Sequence, residues 1–253
     1  MNEVFNDASE SKKLNGPEVL YEDNHLIALN KKSSDLSQGD ASGDLSLDAR
    51  VKQYLAAKYD KPGDVFLGVV HRLDRPVSGV ILYARTSKAL SRMNEMFRQS
   101  LVKKTYLAIV GECPPEDEGV LIHYLRKNEK QNKSYVFDRE VAGSRKAVLT
   151  YRIAGRSQRY YLLEIGLHSG RHHQIRAQLA AIGCPVKGDL KYGYRRANEN
   201  GGISLFARKL EFIHPVRKVN TGIVAPFPEG DLWRKFNYDA GNPETEVKRK
   251  GQR

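Results

Sequence analysis

The chain has 253 residues, of which 40% are hydrophobic and 28% charged, enough to bury a sizeable core. No stretch approaches the ~18 consecutive apolar residues of a membrane-spanning helix, and the polar first residues lack the apolar segment of a secretion signal. The two cysteines, Cys113 and Cys184, cannot form a disulfide framework or a four-ligand zinc site. These features exclude membrane-spanning and disulfide-rich proteins and predict a cytoplasmic protein.

The charge balance is strongly basic. Lys and Arg number 42 against 30 Asp and Glu, which gives a net charge of +12 and an isoelectric point near 9.6. A folded protein with this excess attracts polyanions, because each phosphate contact releases counterions. Nucleic acid is therefore the favoured partner, although a basic surface can also serve solubility alone.

The chain divides into one domain and two tails. Residues 1–17 are polar and without periodicity, which predicts a flexible N-terminal tail. Residues 237–253 predict a flexible basic C-terminal tail, which either contacts RNA or is only a solvated end. Residues 18–236 contain no linker or repeat, so we expect a single domain there.

Short strands alternate irregularly with helices inside this domain. One helix is predicted around residues 47–55, a second capped by Ser87, and a third over 171–182 that stops at Gly183. Strands are predicted at 26–29, 69–70, 80–83, 105–110, 133–138, 145–153, 160–167 and 203–213. Many strands with few crossover helices predict an α+β fold around a mixed sheet.

The segment 71–79 is a charged loop between two apolar strands. Rigid scaffolds display catalytic groups on such loops. Asp74 lies between Arg72 and Arg75 in the sequence, and nearby cations keep a carboxylate ionised. From these residues alone, Asp74 is either a catalytic carboxylate or a salt-bridged loop residue.

The segment 166–176 is the second candidate. We expect Arg171, His172, His173 and Arg176 in the first two turns of a helix, with His172 and Arg176 on one face. Arg176 adjoins apolar positions, so it needs a buried carboxylate partner, for which Asp74 is a candidate. No neighbouring Cys or carboxylate completes a ligand set with the histidines, so no metal site is predicted.

Five segments in chain order resemble the RluA-type pseudouridine synthases. They are His71–Gly79 (the family's HRLDR-x-TSG loop), Lys104–Ala108 (K-x-Y-L-A), Gly170–Arg176 (GRTHQIR), Gly188–Gly193 (GD-x-x-YG) and Leu210–Pro215 (L-x-F-x-HP). Val77 and His172 depart from the pattern, since Thr is usual at both positions. Only 17 residues precede the core, so the resemblance implies a catalytic domain without the separate RNA-binding module of many members.

The resemblance implies a largely antiparallel central sheet flanked by helices and loops. It also implies isomerisation of uridine to pseudouridine in ribosomal or transfer RNA, without cofactor or metal. Asp74 would act at the ribose C1′, either by direct attack or by assisting elimination. Arg176 would pair with Asp74, and Tyr106 would stack on the target base and could assist proton transfer.

The same resemblance places RNA contacts around this centre. Arg72 would fill the space that the flipped nucleotide leaves, and Arg75 could bind a phosphate instead. The further candidates for RNA binding are His71, Lys104, Arg171, His173 and Gln174. We expect more of the basic surface to face RNA, from among Lys103, Arg145, Lys146, Arg152, Arg156, Arg159, Lys191, Arg195 and Arg196. RNA is the expected partner, with no membrane, no obligate protein partner and a monomeric state.

Three other functions compete with this interpretation. A glycosidase or nucleosidase normally needs two placed carboxylates; Asp189 is the available second one, but its Gly-rich turn is typical of a structural role. A metal nuclease needs clustered acidic ligands, which the basic segments lack. A non-catalytic RNA-binding or ribosome-assembly protein with this fold would keep its activity after Asp74→Asn, whereas an isomerase would not.

Overall fold

The computed structural model describes residues 16–40, 43–236 and 238. The two predicted tails lie outside this part except for residues 16, 17 and 238, so both remain predictions. The strands are β1 (Val19–Glu22), β2 (Leu26–Lys31), β3 (Gly68–Val69), β4 (Ser78–Ala84), β5 (Lys103–Val110), β6 (Glu118–Asn128), β7 (Lys133–Phe137), β8 (Arg145–Arg156), β9 (Tyr161–Leu167), β10 (Leu205–Ile213) and β11 (Asn220–Val224). The helices are α1 (Leu47–Lys58), α2 (Ser87–Arg98), α3 (Gln174–Ala181), α4 (Asp231–Arg234) and a 3₁₀ helix, Leu190–Tyr192.

The described strands form one 11-stranded sheet. Its order is β1-β2-β4-β10-β5-β9-β8-β6-β7, with β11 beside β10 and β3 beside β4. The pairs are antiparallel except β4 with β10. This confirms the predicted α+β fold with a mixed, largely antiparallel sheet flanked by helices. No helix in the described part is long and apolar enough to cross a bilayer.

The core lies where the central strands are covered on both faces. Residues Leu26–Leu29, Val80–Ala84 and Leu107–Val110 are fully buried, as expected for near-continuous apolar strands. Helix α1 adds its predicted apolar face, in which Leu47, Val51 and Leu55 are buried.

Two local predictions were wrong, and three strands were not predicted. Helix α2 is capped by Thr86, whose hydroxyl accepts from the Ala89 amide at 3.2 Å, so Ser87 is already helical. Helix α3 begins at Gln174 rather than 171, because His173 has a left-handed backbone that a right-handed helix cannot include. Strands β1, β6 and β11 were not predicted, and most of their residues are half-buried or exposed.

Strand β10 joins two halves of the sheet beside the loop that carries Asp74. It pairs with β4 through only Ser78 and Gly79, and with β5 along its length. Gly79 has φ of +111°, and a Cβ there would lie 2.2 Å from the Ala207 carbonyl oxygen. Only glycine fits this close approach, so Gly79 sets where the charged loop ends against the sheet.

Lys31 holds the same loop from the other side. Its side chain is fully buried, and its ammonium donates to the carbonyl oxygens of Lys32 (3.0 Å), Arg75 (3.0 Å) and Val77 (2.7 Å). Burial lowers the pKa of Lys31 to about 8. The three hydrogen bonds thus keep a buried cation in place and fix the backbone just after Asp74.

We expect Lys31→Met to lower the free energy of unfolding by about 2–3 kcal/mol. Three carbonyls lose their donor, and this loss outweighs the cost of burying the charge that the variant removes. Urea denaturation measures the change. Lys32→Met, at the exposed neighbouring position, should change it by less than about 0.5 kcal/mol. Equal stability of the two variants would contradict a stabilising role for the three hydrogen bonds of Lys31.

Candidate active site

A pocket of about 370 Å³ lies between the 71–77 loop, β5 and the start of α3. It brings together nine of the ten residues predicted for the site. They are His71, Arg72, Asp74, Lys104, Tyr106, Arg171, His173, Gln174 and Arg176. The tenth, Arg75, does not line the pocket: its guanidinium pairs with Asp44 at 2.8 Å and donates to the Ser34 carbonyl oxygen.

Arg176 connects the loop carboxylate to a second, more deeply buried one. Its Nη1 donates to Oδ2 of Asp74 at 2.9 Å, which confirms the predicted pair. Its Nε and Nη2 donate to the two oxygens of Asp189 at 2.7 and 2.9 Å. Arg176 is 5% exposed and Asp189 1%, so this bidentate pair is buried and fixes the guanidinium beside Asp74.

Asp74 is oriented through one oxygen only. Its Oδ2 receives Arg176 and also lies 3.5 Å from Nε2 of His173. Among the described residues, Oδ1 forms no hydrogen bond or ion pair. The sequence neighbours Arg72 and Arg75 form no ion pair with this carboxylate. Its cationic partner is Arg176, which is far away in the sequence.

The buried ring of His173 lies next to the Asp74 carboxylate and is neutral. Burial lowers its pKa to about 3, and its Nδ1 is 3.0 Å from the Tyr192 hydroxyl. Since Oδ2 of Asp74 acts as an acceptor here, the proton of the ring belongs on Nε2, and Tyr192 then donates to Nδ1. Tyr192 in turn accepts from the Ser134 amide at 2.8 Å. The ring is therefore held by a chain of hydrogen bonds on the side away from the pocket.

Tyr106 comes from the central strand β5 and is 8% exposed. Its position follows from the sheet, since Tyr106 pairs with Ala207 of β10, which pairs with Gly79 at the end of the Asp74 loop. Burial raises the pKa of Tyr106, and the charge of Asp74 raises it further. At neutral pH the residue is a protonated phenol that can donate a hydrogen bond.

Two of the predicted RNA contacts instead support the walls of the pocket. Gln174 is buried; its oxygen accepts from the Ser169 hydroxyl and the Arg171 amide, and its nitrogen donates to the Val148 carbonyl oxygen. His71 accepts from the Leu82 amide at 3.0 Å and stacks on Phe97. Both side chains are fixed by protein partners.

Three cations remain for a ligand. Arg72 and Arg171 are exposed, and Lys104 is buried beside Phe97. Burial lowers the pKa of Lys104, and nearby Arg171 lowers it further. None of the three forms an ion pair within the described residues, so each can meet an anion.

Apart from Gly170 and His172, the remaining lining is apolar. Val77 is buried at the position where the resembled loop has Thr, and its backbone amide donates to the Asp74 carbonyl oxygen at 3.0 Å. The other apolar lining residues are Leu73, Phe97, Leu167, Ile175 and Leu205. Within the described residues, no three His, Cys, Asp or Glu side chains are grouped as metal ligands.

Sequence reasoning missed the roles of Asp189 and Tyr192. Both lie in the Gly188–Gly193 turn, which was interpreted as structural. The turn is structural in that it ends with Gly193 in a left-handed conformation. It also places the carboxylate of Asp189 against Arg176 and the hydroxyl of Tyr192 against His173. The available signal was Arg176 itself, a buried cation that can bind more than one carboxylate.

We expect Asp189→Asn to lower the free energy of unfolding by about 3–5 kcal/mol, because it leaves part of a buried guanidinium without its counter-charge. Asp117→Asn is the matched control, since Asp117 pairs with Arg156 at an exposed position and such pairs contribute less than about 1 kcal/mol. Thermal or urea unfolding separates the two cases. If Asp189→Asn lowers the free energy of unfolding no more than Asp117→Asn does, the buried ion pair does not stabilise the fold as predicted.

Comparisons with known proteins identify the family. The family model described as RNA pseudouridylate synthase matches residues 25–181. The chain is 32% identical over 193 residues to ribosomal large subunit pseudouridine synthase C of Rickettsia bellii, covering 75% of this chain and 62% of that protein. It is also 32% identical over 228 residues to ribosomal large subunit pseudouridine synthase D of Xylella fastidiosa, covering 84% and 66%.

The fold agrees with a solved human structure. Human RNA pseudouridylate synthase domain containing 4 superposes with a TM-score of 0.70 at 21% identity, over 86% of this chain and 90% of that one. The chain spans about three fifths to two thirds of the length of these two curated relatives. The match of the family model over more than half of the sequence, together with these relatives, confirms the resemblance: the chain belongs to the RNA pseudouridylate synthase family.

Proposed function

We propose that this protein isomerises one or a few uridines of ribosomal or transfer RNA to pseudouridine. The observation that carries the proposal is a carboxylate, Asp74, that is held by Arg176. It shares one pocket with the phenol of Tyr106 and with three cations that have no carboxylate partner among the described residues. The relatives named as ribosomal large subunit pseudouridine synthases support RNA as the substrate. We further propose that the protein acts in the cytoplasm as a monomer, without cofactor, metal or obligate protein partner.

In this reaction the N1–C1′ bond of the target uridine breaks and C5 of the turned uracil joins C1′. The proton on C5 leaves and N1 gains one, so the product is an isomer of the substrate. Asp74 acts at C1′, by direct attack or by assisting elimination. Its Oδ1 is the atom free to do so, since Oδ2 is occupied by Arg176. Tyr106 stacks on the uracil and, as a protonated phenol, assists proton transfer.

The target base must leave its stack before it reaches this pocket. Base flipping costs a few kcal/mol, and a planar cation that fills the gap offsets part of that cost, because Arg stacks on bases. Arg72 is exposed at the pocket and is proposed for this role. Lys104 and Arg171 are proposed to bind phosphates, whereas His71, His173 and Gln174 are proposed to position the residues around them.

Two alternatives are less compatible with the geometry. A nucleosidase needs a second free carboxylate, but both oxygens of Asp189 are occupied by Arg176 and the residue is buried. A non-catalytic RNA-binding protein needs the basic surface but not the alignment of Asp74 with Arg176 and Tyr106. Variants of Asp74 therefore separate binding from isomerisation.

We expect Asp74→Asn to lower tritium release from [5-³H]uridine-labelled ribosomal or transfer RNA by at least about a thousandfold, because the reacting carboxylate is lost. RNA binding should change by less than about threefold. Asp64→Asn, at an exposed carboxylate outside the pocket, should release tritium at the wild-type rate. Wild-type protein that binds both RNA pools but releases tritium from neither would favour the non-catalytic alternative.

We expect Tyr106→Phe to lower kcat by about a hundredfold, the usual contribution of a positioned acid or base. The ring that stacks on the base remains, so KM should stay within about threefold. Tyr54→Phe removes a hydroxyl from the outer helix α1 and should leave both constants unchanged. An unchanged kcat for Tyr106→Phe would limit the residue to stacking.

A further inference from the structure

A second cleft adjoins the active-site pocket. It has a volume of about 440 Å³ and is lined by residues from β6, β7 and the beginning of β8. Gly170, Arg171 and His172 line both cavities, so this turn is the wall between them. A strand of RNA whose target base enters the pocket can pass over this wall into the cleft.

The cleft carries unneutralised positive charge. Its charged lining residues are Lys127, Glu129, Arg145 and Arg171. Lys127 and Glu129 pair with each other at 2.5 Å, which leaves Arg145 and Arg171. Neither has a carboxylate partner among the described residues, although Nε of Arg171 donates to the Lys146 carbonyl oxygen. Two guanidinium groups without carboxylate partners in one cleft favour a phosphate.

His172 gives the wall a fixed aromatic ring. Its Nδ1 is 2.9 Å from the Ser134 hydroxyl and its Nε2 is 3.0 Å from Oδ1 of Asn132. The ring also stacks on His173, with centroids 3.8 Å apart. Burial lowers the pKa of His172, so the ring is neutral at physiological pH. Thr is usual at this position of the resembled family motif, and Thr offers no ring for stacking.

We propose that the cleft binds the nucleotide next to the target uridine, with its phosphate between Arg145 and Arg171 and its base against His172. This inference rests on the proposed function, because it assumes that the pocket receives a base from RNA. Ionic contact with the phosphate and stacking on a neutral ring are the two interactions by which proteins hold single-stranded RNA regardless of sequence. The subsite would therefore raise affinity and orient the strand without selecting a base.

The test is equilibrium binding of a fluorescein-labelled oligouridylate of about twelve nucleotides, within the usual range of single-strand sites, measured across a salt titration. Arg145→Gln should weaken binding about fivefold and reduce the slope of log Kd against log salt by about 0.7, the value for one phosphate contact on a single strand. His172→Thr should weaken binding about fivefold with an unchanged slope, because stacking releases no counterion.

The matched control is Arg234→Gln, which removes the same charge from the exposed end of α4, outside the pocket and the cleft. We expect it to leave affinity and slope unchanged. Equal effects of Arg145→Gln and Arg234→Gln would overturn the subsite in favour of diffuse attraction. An unaffected His172→Thr would overturn the stacking contact.

Tritium release from labelled ribosomal and transfer RNA, measured with the same preparations, tests the proposed function separately. Absence of release together with an Arg145-dependent slope would refute isomerisation of these RNAs and retain the cleft as an RNA site. Release by the wild type, with Arg145→Gln identical to it in both KM and salt slope, would refute the cleft and retain the isomerase.

Discussion

The arrangement of this site depends on one buried guanidinium. Arg176 cannot be buried without counter-charge, and Asp189 supplies it through two hydrogen bonds that leave Nη1 for Asp74. The guanidinium of Arg176 is thus held in place by the protein itself, and the Asp74 carboxylate accepts a hydrogen bond from it. The Asp74 carboxylate is therefore held in one orientation by a donor that is itself fixed.

The motifs predicted which residues meet but not what each one does. Five ordered segments identified Asp74, Tyr106 and Arg176, and the pocket contains all three. The helix predicted from residue 171 was wrong, because His173 turns the backbone into the left-handed region and faces Asp74. The spacing of apolar residues in the sequence does not reveal such a turn. Hydrogen bonds between residues far apart in the chain decide whether a side chain supports the wall of the pocket or faces its interior, and these contacts are not visible in the sequence.

The net charge predicted a polyanion partner but could not locate the free cations. Arg152 pairs with Glu164, Arg156 with Asp117 and Lys127 with Glu129, so these contribute little to the field at the pocket. Arg72, Lys104, Arg145 and Arg171 have no such partner among the described residues and border the pocket or the adjoining cleft. The attraction for a polyanion is therefore set by which cations lack carboxylate partners, and this depends on the fold rather than on composition.

The position of β10 affects how the protein is made. Asp74 belongs to the half-sheet of β1, β2 and β4, whereas Tyr106 belongs to the half-sheet that begins with β5, and β10 lies between the two. Because β10 ends at residue 213, most of the chain has left the ribosome before the halves can join. The nascent protein exposes the facing edges of β4 and β5 until then, and unpaired edges invite aggregation. Asp74 and Tyr106 can consequently share one pocket only late in the synthesis of the chain.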